Sequence, residues 1–98
     1  TVLGACGTAY AMRYIRANIQ GGIEIGFSAA IASLIAAQTV KGAAELLLQK
    51  GSHPEQEIDK VTTPKGCTIA GLNEMEHQGF SSSLIKGIAT SYNKIVKG

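Results

Sequence analysis

Along the first quarter of the chain the polar residues Arg13, Arg16, Gln20 and Glu24 recur three or four positions apart. That spacing gathers them on one face of a helix, with Tyr10, Tyr14, Ile15, Ile19 and Ile23 lying away from it. It predicts a helix from about Thr8 to Ile25, ended by Gly26. Ser28 then offers an N-cap to a second helix, from about Ala29 to Gln49, and Gly51 stands where a C-terminal cap is wanted. In this second helix Ile31, Leu34, Ile35, Val40, Leu46, Leu47 and Leu48 leave only a narrow polar strip at Gln38, Lys41, Glu45 and Gln49. A helix apolar around most of its circumference is buried on more than one side. A chain of 98 residues has few elements to cover it, so the expected cover is a second copy of the same chain.

The pattern then shortens. SHPEQEIDKV reads as a brief third helix, with proline in its first turn and Ser52 and Glu55 at capping-box spacing. A loop, VTTPKGC, leads to a fourth helix from about Thr68 to Gln78, closed by Gly79. Ser81 is the expected cap of a fifth helix, with Phe80 and Ile85 spaced as a hydrophobic staple. Leu84, Ile85, Ile88, Tyr92, Ile95 and Val96 form its apolar stripe. No stretch alternates as a strand does. The expected fold class is all-α, a bundle of about five helices in one domain spanning residues 1–98.

Composition narrows the functional classes. Hydrophobic residues make up 45% and charged residues 16%, which fits a globular domain and not a disordered tail. Aromatic residues amount to 5% with no tryptophan, so close packing through alanine and glycine is expected. A net charge of +2, carried by scattered basic residues, argues against nucleic acid. Cys6 and Cys67 form no CxxC pair and fit a reducing cytoplasm. The apolar stretch from Phe27 is broken by Gln38, Thr39, Lys41 and Glu45. It falls below about 18 uninterrupted apolar residues, so no membrane span is expected. No signal-peptide pattern heads the chain, and the missing initiator methionine suggests a fragment or a processed chain.

The segment with most chemistry is Val61 to Thr68, VTTPKGCT. Three hydroxyls and a glycine precede a helix whose free N–H groups and positive dipole end favour an anion such as a compact carboxylate. The same residues also suit a plain capped turn between helices. LGACGTAY sets small residues before the first helix, either for close approach of a ligand or for packing. It lacks GxGxxG and a preceding strand, so no dinucleotide fold lies in this chain. His53 and His77 sit apart in polar segments with no metal-site spacing, and Ser81 to Ser83 lack a GxSxG context. Glu55, Glu57 and Asp59 read as the acidic start of a short helix, and Glu74 and Glu76 as a solvated face.

Four segments together resemble the C-terminal half of pyrroline-5-carboxylate reductase: GTAYAM, AAQTVKGAAELLL, HPEQ and, most specifically, VTTPKGCTIAGLNEMEHQGF. The resemblance covers essentially the whole chain. It implies an N-terminal Rossmann domain that binds NADP or NAD, and a helical domain interlocked with its twin as a homodimer, in some members assembled further. It also implies a small-molecule substrate, 1-pyrroline-5-carboxylate, held at the dimer seam and reduced to L-proline. Carried onto this sequence, Thr63 and the N–H groups near Gly66 and Cys67 would hold the substrate carboxylate. Thr68 would hydrogen-bond at the ring nitrogen or carboxylate as the catalytic hydroxyl, and the Val61 carbonyl would lie beside the ring. Neither a metal nor a covalent intermediate is implied.

Two departures stand out. Gly4, Ala5, Cys6, Gly7, Thr8, Ala9 and Tyr10 stand where the family writes Ser-Gly-Ser-Gly-Pro-Ala-Tyr, so both serines and the proline that the resemblance places on the nicotinamide side are lost. Lys65 stands where a glycine is usual, either adding positive charge near the carboxylate or facing solvent. The rival readings are a divergent member acting on another cyclic imine and a non-catalytic helical dimerisation module. The 98 residues alone are expected neither to bind NADPH nor to reduce 1-pyrroline-5-carboxylate.

Overall fold

The computed structural model describes residues 1–98 as helices and connecting turns, so the all-α expectation holds. A π-helical turn, Val2–Cys6, runs without a break into α1, Gly7–Glu24. The others are α2, Ala29–Lys50; α3, Pro54–Lys60; α4, Cys67–His77; and α5, Phe80–Lys97. The helices form two compact units, Leu3–Gly51 and Ser52–Gly98.

In the first unit, α1 packs against α2. The turn between them is set by Gly26, whose φ of 120° only glycine adopts readily. Its N–H donates to Ile23 O (3.1 Å) and that of Phe27 to Gly22 O (3.0 Å), the paired bonds of a Schellman motif. Ser28 Oγ then accepts from Ile31 N–H (3.3 Å), capping α2 as expected. Gly51 closes α2 at a φ of 64°. The seam itself is made of small residues. Ala32 and Ala36, four apart on α2, are the buried hydrophobic residues, at 5% and 2% exposure. An added Cβ on Gly22 would come within 3.1 Å of the Ala32 methyl, so α1 approaches α2 through a missing side chain.

The large apolar residues face the other way. Leu34 is 66% exposed, and Ile31 and Ile35 about half exposed. By length and composition alone α2 also reaches the mean hydropathy (1.4) of a membrane span, although Lys41 and Glu45 interrupt the run. A helix of this kind needs apolar surroundings, and lipid or a partner protein supplies them equally.

In the second unit α4 packs against α5. Two expected caps are different here. α3 is capped by His53, not Ser52: Pro54 occupies the first helical position, which makes the residue before it the N-cap. Ser52 Oγ instead donates to Glu57 Oε2 (2.7 Å), an oxygen that also accepts from Lys60 Nζ (3.1 Å). α5 begins at Phe80 behind Gly79, whose φ is 88°, so Phe80 lies inside the helix and forms no staple. Ser81 Oγ donates to Glu76 Oε2 (2.7 Å), bracing the α4–α5 turn and capping nothing.

Candidate functional site

Val61, Thr63, Gly66, Cys67 and Thr68 lie on one short path from the end of α3 to the first turn of α4. Val61 is the C-cap of α3 and 66% exposed, with its N–H donating to Ile58 O (3.1 Å). Thr62 separates from the other hydroxyls: its Oγ1 donates back to Ile58 O (3.1 Å), with Asp59 O at 3.3 Å. One of the three hydroxyls read from the sequence therefore fastens the loop to α3.

Thr63 to Gly66 form a tight turn. Gly66 N–H donates to Thr63 O at 2.9 Å, with Pro64 and Lys65 between them. Proline fixes φ near −65° at the first central position, and Lys65 takes a φ of 61° at the second, which is a type II arrangement. Glycine is favoured at that position because a Cβ in the left-handed region meets the following carbonyl. Lys65 is the one non-glycine residue of positive φ. Relaxing it is expected to stabilise: Lys65→Gly removes about 1–2 kcal/mol of left-handed strain against about 0.5–1 kcal/mol of added backbone entropy. A thermal melt should rise by a few degrees, and a lower Tm would contradict the turn described here.

Gly66 does two jobs. Its N–H closes the turn, which leaves the unclaimed N–H groups to the residues after it. Its missing side chain makes room for Thr63, because a Cβ at Gly66 would lie 2.5 Å from Thr63 Oγ1 and 3.0 Å from Thr63 O. The Thr63 hydroxyl is thus pressed to the head of α4. Gly66 is the N-cap, and no side chain caps the first turn. The N–H groups of Cys67, Thr68 and Ile69 precede the first bond of the α4 register, Ala70 N–H to Gly66 O (3.4 Å). The first turn carries no acidic residue. Donors, dipole and hydroxyl together favour a small anion.

The remaining candidates are placed elsewhere. Gly4 and Cys6 belong to the π-helical turn, and Thr8 Oγ1 donates back to Gly4 O (2.9 Å), so these departures build a continuous helical entry to α1. Cys6 and Cys67 are free thiols. No three histidine, cysteine, aspartate or glutamate side chains converge as metal ligands. The chain has no strand that could precede a glycine-rich phosphate loop of the Rossmann kind. The capping role of His53 was missed in the sequence, where it stands in a polar segment without metal-site spacing. The signal was present, since a residue directly before an N1 proline and three before a glutamine has capping-box spacing.

An all-helical chain that keeps two alanines for its own seam and leaves large residues such as Leu34, Leu48 and Ile85 exposed has the surface of an association domain. The chain belongs to the pyrroline-5-carboxylate reductase dimerisation family, whose profile matches residues 1–97. It is 68% identical over 94 residues to pyrroline-5-carboxylate reductase 1 of Dictyostelium discoideum, covering 96% of this chain and 17% of that protein. It is 60% identical over 95 residues to reductase 2 of the same organism, covering 97% and 32%. The solved 1-pyrroline-5-carboxylate reductase of Streptococcus pyogenes superposes with a TM-score of 0.93 at 33% identity, over 96% of this chain and 36% of that one. Pyrroline carboxylate reductase of Plasmodium falciparum, solved with NADP bound, gives 0.92 at 26% identity, again over 96% and 36%. The chain therefore spans about a sixth to a third of the length of these relatives.

Proposed function

We propose that this chain is the dimerisation and substrate-binding part of a pyrroline-5-carboxylate reductase, which reduces 1-pyrroline-5-carboxylate to L-proline with NADPH or NADH. The reading puts the nicotinamide cofactor in a separate N-terminal domain of the Rossmann kind, in keeping with the lack of any strand here. The observation that carries it is the turn Thr63–Gly66. It holds a threonine hydroxyl beside the open N–H groups of Cys67 and Thr68, where a carboxylate is the fitting guest. Thr63 and those N–H groups bind the carboxylate, Thr68 hydrogen-bonds at the ring nitrogen or carboxylate, and the Val61 carbonyl borders the ring. The chain's part in the reaction is to hold the imine in place and to support charge at its nitrogen.

The working form is a homodimer in the cytoplasm, engaging neither nucleic acid nor membrane, with α2 and α5 at the seam. Two free thiols and scattered basic residues support that setting. Identities of 68% and 60% along nearly the whole chain give no support to a different cyclic imine or to a free-standing module.

Two substitutions in the full-length reductase test the site. Thr68→Val keeps the shape and removes the hydroxyl; it is expected to lose about 1–3 kcal/mol of transition-state binding, roughly 5- to 150-fold in kcat/KM. Thr63→Ala should mainly raise KM, as expected of a group gripping substrate and transition state alike. Cofactor affinity should stay unchanged in both. If both variants lose about 1 kcal/mol of stability, as lost capping groups do, and keep their kinetics, the loop is a structural turn and the assignment fails.

A further inference from the structure

We infer that His53 is a positioning residue for the substrate loop, acting through the cap it places on α3. The inference rests on the substrate reading of Val61 to Thr68 given above. His53 Nδ1 accepts the Glu55 N–H (3.1 Å), and the Gln56 side-chain Oε1 accepts the His53 N–H (3.2 Å), a reciprocal capping box. The first of these bonds requires the tautomer with its proton on Nε2.

What happens at the capped end of α3 reaches the other. α3 has seven residues, fewer than a helix needs to persist by its own propensity. The loop hangs directly on its last turn. Val61 N–H donates to Ile58 O (3.1 Å), Thr62 N–H to Asp59 O (3.4 Å), and Thr62 Oγ1 to Ile58 O (3.1 Å). When the first turn frays, those carbonyls lose their positions, and Val61 to Thr63 lose theirs. Ser52 and Lys60 meet at Glu57 and brace the flank of α3, but they leave the Glu55 N–H to the imidazole. The packed helix pairs are α1 with α2 and α4 with α5, and α3 belongs to neither.

Asparagine supplies a capping oxygen in place of the ring nitrogen, and alanine supplies none.

The test uses the full-length reductase with two readouts, KM for 1-pyrroline-5-carboxylate and deuterium uptake of the segment 54–62. His53→Ala is expected to raise KM roughly five-fold, the equilibrium factor a helix cap commonly supplies, with faster uptake and little change in kcat. His53→Asn, which restores a capping acceptor, should keep the wild-type KM and uptake. The inference is overturned if His53→Ala behaves as wild type, if His53→Asn fails to rescue, or if uptake changes while KM does not. Loss of the substrate reading looks different: Thr63 and Thr68 variants would then leave KM unmoved, while the uptake comparison would still judge the cap.

Discussion

Replacing Gly66 by alanine in the full-length reductase is expected to lower kcat/KM by about two orders of magnitude, the scale of loss that follows a displacement of about 1 Å at a positioning group. The new Cβ would stand 2.5 Å from Thr63 Oγ1 and 3.0 Å from Thr63 O. Relief has two routes, and both damage the site. Rotating Thr63 takes its hydroxyl away from the head of α4. Shifting the backbone breaks the 2.9 Å bond that closes the turn. The stability loss should be about 1–3 kcal/mol, as for other overpacked positions. A double-mutant cycle isolates the cause. In a Thr63→Ala background the hydroxyl contact is gone, so adding Gly66→Ala should reduce kcat/KM by no more than about three-fold further. Wild-type kinetics in Gly66→Ala, or full additivity in the cycle, would remove Thr63 from the site.

The second large effect concerns association. Leu34→Glu on the outward face of α2 is expected to abolish the dimer and, with it, the folded state. Leu34 is 66% exposed, and burying a leucine is worth roughly 1.5–3 kcal/mol. A two-fold interface counts each change twice, giving about 3–6 kcal/mol, or 10²- to 10⁴-fold in the dissociation constant before the buried charge is added. Ile85 on α5, 65% exposed, should behave alike. Sedimentation velocity on the wild-type chain should find a dimer throughout the micromolar range, in line with an obligate interface burying more than about 2,000 Å². A stably folded wild-type monomer at those concentrations would refute the seam.

The long elements were legible in the sequence because periodicity is a sum over many residues. α1 and α2 lie within a residue or so of the expected bounds, and Ser28, Gly26 and Gly51 act as their spacing predicts. The errors fall at short-range choices between near-equivalent groups. Ser52 and His53 both carry acceptors, and what decided between them was the position of Pro54 in the helix. Ser81 looked like a cap, but Gly79 took the left-handed position two residues earlier and freed Ser81 to bond Glu76. In the site, residue types gave the anion-binding character of the loop. They did not give the partition of labour among its three threonines, because that depends on which carbonyls the end of α3 leaves within reach of Thr62. The left-handed Lys65 was equally hidden: a lysine at that position states no backbone preference, and only the turn geometry imposes one.

The seam between α1 and α2 sets a limit on how this protein can change. Ala32, Ala36 and Gly22 have no rotamers and almost no volume to yield, so a larger residue at any of them cannot be absorbed by a neighbour's side chain turning aside. Two backbones would have to move apart instead. The outward leucines and isoleucines, by contrast, have several torsions each and face surfaces that repack. Sequence drift in this domain is therefore channelled outward, onto the surface that selects its partner, while the spacing of the helix pair stays fixed.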